Sequence, residues 1–248
     1  MYTEDVARLY DLEHAGFEED LHLYQSYALM TGAPALELGC GTGRLMLPLV
    51  AAGYEVVGVD SSPGMLRLAR ERLQSAGQRD WDLLCADLAD LGSLRAEHFG
   101  MAFCALNTWA HLAGPEEAVR VLEAVHRVLR PAGLLLIDVE DPVHRVAGRG
   151  ELLLGGVFPD GDATVVKTVA SAHDPASGAD DVTVIWDRTA NGGIERTVAH
   201  TRMRAYSRGE LEQMLARTGY EVRETLGSWD LEAYTGRGDR LVFVASRL

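Results

Sequence analysis

The stretch Ala35-Leu36-Glu37-Leu38-Gly39-Cys40-Gly41-Thr42-Gly43-Arg44-Leu45-Met46 changes character twice. Ala35 to Leu38 is a short apolar strand. Gly39 to Gly43 is a glycine turn, and Leu45 to Ala52 reads as a helix that Gly53 ends in the usual capping position. Glycine tolerates positive φ and lets a ligand approach the backbone with no Cβ in the way. The N–H groups that open the following helix suit an anionic or polar group. A dinucleotide fingerprint demands G-x-G-x-x-G, but Arg44 follows one register and Met46 the other, so the third glycine is missing from both.

Outward from this turn, strands and helices alternate. Glu55 to Val59 is a strand. Ser62 then caps a helix with Pro63 in its first turn and Met65, Leu66, Ala69 and Leu73 along one side. Trp81 to Cys85 and Met101 to Leu106 read as buried strands. Pro115 to Leu129 is a strongly periodic helix through Val119, Leu122, Val125, His126 and Leu129, stopped by Pro131 and Gly133. Leu134 to Val139 is a continuous apolar strand. Such alternation predicts βαβ units in an α/β fold with a doubly wound sheet covered on both faces.

The flanks differ. Residues 1–32 form a helical cap, with Val6, Ala7, Leu9 and Tyr10 on one face and Leu21, Tyr24 and Ala28 on another. After Asp141 the period shortens. Thr164 to Ala170, Val182 to Thr189 and Ile194 to Met203 predict a three-stranded antiparallel insertion within 150–205, with Asn191-Gly192-Gly193 as a hairpin turn. Ser207-x-x-Glu210 is a capping box before a helix from Leu211 to Arg217, and 206–248 returns the chain to the sheet. The expectation is a single domain over 1–248, with 33–142 as its core.

At this point the pattern E-x-G-x-G-x-G, Glu37 to Gly43, resembles the first motif of class I, Rossmann-like S-adenosylmethionine-dependent methyltransferases. The resemblance implies a seven-stranded sheet with its last strand antiparallel, and S-adenosylmethionine as cofactor. It places Glu37, Gly39, Cys40, Gly41 and Gly43 at the cofactor. Asp60, at the end of Val56-Val57-Gly58-Val59-Asp60, would accept both ribose hydroxyls with Ser61 beside it; helix capping is the alternative role. Asp87 and the Leu88 N–H would meet the adenine edge, Met65 its face, and Asn107 the end of the fourth strand. Tyr10-Asp11 matches a Tyr-Asp pair in the first helix of enzymes that N-methylate amino sugars, where the tyrosine closes over the carboxylate of the cofactor. Of the Asn-Pro-Pro-Tyr stretch of nucleic-acid methyltransferases only Asn107 is present.

Acceptor groups are expected from Trp109, His111, Asp138 to Asp141 and the insertion, with His111 as the general base; Asp138, Glu140 and Asp141 read as a solvated acidic loop, with the holding of a cationic amine or a metal as the alternative role. The acceptor would be a small molecule with an N or O nucleophile. The net charge of −14 speaks against nucleic acid and anionic membranes. No apolar run reaches the roughly 18 residues of a membrane span, and Met1-Tyr2-Thr3-Glu4-Asp5 lacks the pattern of a secretion signal, so the expected location is cytoplasmic. Cys40, Cys85 and Cys104 are expected to be buried and reduced, and their spacing suits no zinc or iron site. The insertion would cover the acceptor or pair subunits in a homodimer. Two rival readings remain: an NAD(P)-dependent oxidoreductase, and a non-catalytic protein that binds S-adenosylmethionine.

Overall fold

The computed structural model describes residues 3–32, 34–144, 149–190 and 192–248. Met1, Tyr2 and Asn191, which entered the readings of the amino terminus and of the hairpin, lie outside the described residues. Two helices open the chain, α1 (Glu4–His14) and α2 (Leu21–Thr31). The core then runs β1 (Ala35–Leu38), α3 (Met46–Ala51), β2 (Val56–Asp60), α4 (Pro63–Ser75), β3 (Trp81–Cys85), β4 (Phe99–Cys104), α5 (Pro115–Val128) and β5 (Leu129–Glu140). A four-stranded excursion follows: β6 (Arg149–Asp160), β7 (Ala163–Asp174), β8 (Ala179–Ala190) and β9 (Gly193–Arg204). Helix α6 (Arg208–Arg217) and strands β10 (Tyr220–Leu226) and β11 (Arg240–Arg247) complete the main sheet.

The main sheet has seven strands in the order β10-β11-β5-β4-β1-β2-β3. Strands β1 to β5 pair in parallel, whereas β11 runs antiparallel to both β5 and β10. The last strand is therefore the reversed one, as the resemblance implied. Strand order reverses between β1 and β4, the point at which doubly wound sheets open a crevice at their carboxyl ends. The two faces carry separate apolar cores. One has Leu36, Leu38, Phe99 and Ile137 packed under α5 and α6, and the other has Phe103, Leu136 and Val244 under α2 and α3.

Local chemistry explains the elements. Ser62 Oγ accepts the Met65 N–H at 3.3 Å, Pro63 opens α4, and Met65, Leu66, Ala69 and Leu73 are its buried face, as the period required. On α5 the buried stripe is Ala118, Val121, Leu122, Val125 and Val128, rotated from the predicted one. Aliphatic residues fill two overlapping stripes there, and His126 is displaced to the rim, edge-on to Tyr220. Ser207 caps α6 through the Glu210 N–H, but the reciprocal half of the capping box is missing because Glu210 pairs with Arg204 at 2.6 Å.

Three expectations are corrected. The insertion has four strands, not three. The unread strand, β6, carries an unbroken leucine run and Gly155-Gly156 at a bulge, and an edge strand needs no alternation. Cys85 is exposed while Cys40 and Cys104 are buried, because β3 is the sheet edge and only partly covered. Asp138 and Asp141 are buried at 0% and 3% exposure instead of lying in a solvated loop; only Glu140 is exposed.

Candidate functional site

The glycine turn is pinned to the end of β2, with Gly39 and Cys40 both donating to the Val59 carbonyl, at 2.8 and 3.0 Å. Gly39 has φ +70°, and a Cβ there would stand 2.3 Å from Thr108 Cγ2, so no larger residue fits. The Gly41 N–H points back to Asp60 Oδ2 at 2.9 Å, while Ser62 N–H donates to Asp60 Oδ1 at 2.8 Å. Asp60 thus braces the turn from below and leaves the capping of α4 to Ser62. Burial raises its pKa, and these two N–H donors pull it back only in part.

A cavity of about 240 Å³ opens over the turn, lined by Gly39, Gly41, Asp60, Ser61, Met65, Asp87 and Leu88, with Tyr10, Leu106, Thr108, His111, Leu112 and Glu117 around the rest. Nine of the predicted residues therefore share one cavity. Asp87, exposed, folds its carboxylate onto the Ala89 N–H at 2.8 Å. Glu37, Cys40, Gly43 and Asn107 do not line it. Cys40 and Gly43 shape the turn from within: Cys40 is buried against Gly58, and Gly43, at φ +75°, lies against Ala69 of α4. Glu37 is buried beneath the turn at 4% exposure, its Oε2 has no hydrogen-bond partner, and desolvation raises its pKa to about 8.

A second cavity of about 380 Å³ lies on the other side of Tyr10. Its walls are Val6, Glu13 and His14 of α1, Asn107, Glu140, and the inner face of the insertion from Lys167 through Val184, Trp186, Ala199 and Thr201 to Met203. Tyr10, Leu106 and His111 line both cavities and mark where they meet. Asn107 belongs to this second cavity. Its main chain is left-handed (φ +63°) and its Oδ1 accepts the Glu140 N–H at 3.3 Å. His111 ends a 3-10 turn, Thr108–His111, and its Nδ1 lies 3.1 Å from Thr201 Oγ1 of β9. The walls strip water from the ring and lower its pKa from 6.5, so it stays neutral and able to accept a proton.

Of the predicted acceptor groups, Trp109 is instead fully buried in the main core, and Asp138 is consumed by Arg240, whose Nε lies 2.6 Å from its Oδ1. The cavity residues that sequence reasoning missed are Val6, Glu13, His14, Leu106, Thr108, Leu112, Glu117 and the individual insertion side chains. Helical spacing already put Glu13 and His14 one turn beyond Tyr10, which was the signal available. Helix α1 is held in place from both sides. Asp11 accepts from Thr42 Oγ1 and Arg72 Nη2, each at 2.6 Å, and Glu13 pairs with Lys167. The Tyr10 ring stacks on His14 with centroids 4.1 Å apart.

The cavity over the glycine turn suits the chemistry of S-adenosylmethionine. Carboxylates of Asp60 and Asp87 stand at or just beyond the ends of successive strands, Met65 lines the same cavity, and the orphaned Glu37 oxygen lies under the turn. Comparison with known proteins agrees. A family profile described as a methyltransferase domain matches residues 35–133. The chain is 27% identical over 253 residues to a cypemycin N-terminal methyltransferase of Streptomyces sp, covering 100% of this chain and 98% of that one. It is 30% identical over 179 residues to a demethylmenaquinone methyltransferase of Tropheryma whipplei, 69% of either chain. The CcbJ methyltransferase of Streptomyces caelestis superposes with a TM-score of 0.81 at 27% identity, over 100% of this chain and 98% of the other. With its glycine turn, its sheet order and these relatives in agreement, the chain belongs to the S-adenosylmethionine-dependent methyltransferases.

Proposed function

We propose that this single-domain enzyme methylates an N or O nucleophile of a small molecule held in the second cavity. The observation that carries the reading is the junction of the two cavities at Tyr10, Leu106 and His111. When bound, S-adenosylmethionine supplies an electrophilic methyl on a sulfonium. The protein's own work is then positioning, because in-line displacement needs donor and acceptor atoms roughly 3 to 3.5 Å apart. Asp60 takes the ribose hydroxyls, Asp87 and the Leu88 N–H take the adenine edge, and Met65 packs on its face. Tyr10 closes over the amino-acid end, and His111, kept neutral by its surroundings, takes the proton that an alcohol or ammonium acceptor must lose. Glu13 is already paired with Lys167, but Glu140 on the wall favours a cationic amine, and the relative named as an N-terminal methyltransferase fits that preference.

The net charge of −14 supports a soluble acceptor over nucleic acid or membrane, and three unpaired cysteines suit the cytoplasm. No helix among the described residues is long and apolar enough to cross a membrane. Leu152, Leu153 and Leu154 on edge strand β6 are 63–69% exposed, which favours a homodimer paired through the insertion. Sedimentation of wild type against Leu153→Glu tests the pairing: a dimer that becomes a monomer supports it, and a wild-type monomer refutes it. The activity is tested by incubating the enzyme with methyl-labelled cofactor and cell extract. Label should pass to the small-molecule fraction. Label only in macromolecules, or binding of NAD in place of S-adenosylmethionine by calorimetry, would refute the reading.

A further inference from the structure

Two consecutive non-glycine residues, Leu106 (φ +45°) and Asn107 (φ +63°), adopt left-handed backbone where the two cavities meet. A leucine there is strained, and such strain persists only where the surroundings over-determine it. The determinant lies on β5. Asp138 Oδ2 accepts the Leu106 N–H at 3.1 Å, and the Asp138 carbonyl accepts the Asn107 N–H at 3.1 Å. One residue thus holds both strained peptides, once by its side chain and once by its main chain. The carboxylate is itself fixed on every side: Trp229 Nε1 at 3.1 Å and Tyr24 OH at 3.4 Å on Oδ2, and Arg240 Nε at 2.6 Å on Oδ1. Arg240 in turn lies over the Trp229 ring, 4.6 Å from its centroid. Asp138 is fully buried and lines neither cavity, so it touches no ligand.

A buried, fully bonded carboxylate is a costly way to support a loop that an apolar residue could pack against. Its return is geometric. It fixes the direction of the Leu106–Asn107 turn, and through it the 3-10 turn that carries Thr108 into the cofactor cavity and His111 to the junction. We propose that Asp138 is a positioning residue for methyl transfer, holding the strained Leu106–Asn107 turn that sets the two cavities, and His111 between them, in register. This rests on the reading that transfer occurs at the junction.

The test compares Asp138→Asn with Val242→Ala, the neighbour of Asp138 in the β5–β11 register, which loosens the same core without touching the turn. Both should lower Tm. Only Asp138→Asn should lower kcat per folded molecule, by about 10- to 100-fold, with the Kd for S-adenosylmethionine within about threefold of wild type, because misplacement acts on the reacting geometry. Wild-type kcat in Asp138→Asn, or an equal loss in Val242→Ala, would overturn the proposal. Should Asp138→Asn not fold, amide exchange in the wild type decides: the Leu106 N–H must exchange as slowly as central β4, and loop-like exchange would overturn it. Wild-type turnover of any acceptor is measured separately, so failure of the methyltransferase reading is distinguishable from failure of this one.

Discussion

Replacing Asp60 by alanine removes one carboxylate from two tasks, and the geometry separates them. On the ligand side, up to two charge-assisted hydrogen bonds to a ribose diol are lost, at about 1.5–3 kcal/mol each. A loss of about 3–6 kcal/mol corresponds to a Kd for S-adenosylmethionine raised by roughly 10² to 10⁴. On the protein side, the Ser62 and Gly41 N–H groups, now held at 2.8 and 2.9 Å, lose their acceptor. Ser62 is 2% exposed and cannot turn to water, so about 1–3 kcal/mol of stability should go with it. For a chain of this size that lowers Tm by about 2–4 °C per kcal/mol. Asp60→Asn keeps one acceptor oxygen but sets an amide nitrogen against the other N–H, so both effects should fall between alanine and wild type. Titration calorimetry gives the Kd and a thermal melt the Tm. A lowered Tm with an unchanged Kd would show that Asp60 only braces the loop, and the ribose role would be wrong.

The remaining predictions concern other parts of the site. If His111 removes a proton, the acid limb of kcat/KM should lie below pH 6.5, because its pKa is lowered by burial; His111→Gln should abolish that limb and cut kcat by about a hundredfold. An unchanged profile in the mutant would exclude the base role. Ala199→Trp, which fills the second cavity, should raise the acceptor KM or abolish turnover while leaving S-adenosylmethionine binding intact, and a change in cofactor affinity alone would contradict the division of the two cavities. Glu37 is raised from 4.5 to about 8, so the native state holds its proton where the unfolded chain has released it. Its contribution is full below pH 4.5 and is lost as pH rises towards about 8. Glu37→Gln should therefore gain stability relative to wild type across that interval, measured as a growing difference in Tm, and a pH-independent difference would refute the assignment.

Legibility followed the range of the interactions involved. The glycine turn, α4 with its Ser62 cap and the run of β5 are set by neighbours within a few residues, and the sequence shows them directly. That Asp60 and Asp87 share a cavity was legible because strand ends in a doubly wound sheet converge on one crevice, and Met65 followed from its place in the first turn of α4. Asp138 was misread because its partners, Trp229 and Arg240, arrive from far along the chain, and no local pattern announces a carboxylate that will be buried. Lys167 and Thr201 were out of reach for a related reason. Which residues of the insertion face inward depends on register, and a shift of one residue exchanges the two faces. Strand β6 lacked alternation because, at the edge, neither face is fully covered. The cysteine reading failed at Cys85 for the same cause, since edge and centre differ only through strand order.

The wall of the second cavity is drawn largely from strands β7 to β9, and none of their residues lines the cavity over the glycine turn. Both ends of that sheet join the core near the carboxyl end of β5 and the start of α6, outside the glycine turn and the ends of β1 to β3. Its ties to the first cavity run through Lys167, paired with Glu13 one turn from Tyr10, and through Thr201 against His111, so drift at other wall positions leaves the glycine turn untouched. A lineage built on this plan can reshape the second cavity one wall residue at a time while the glycine turn stays as it is.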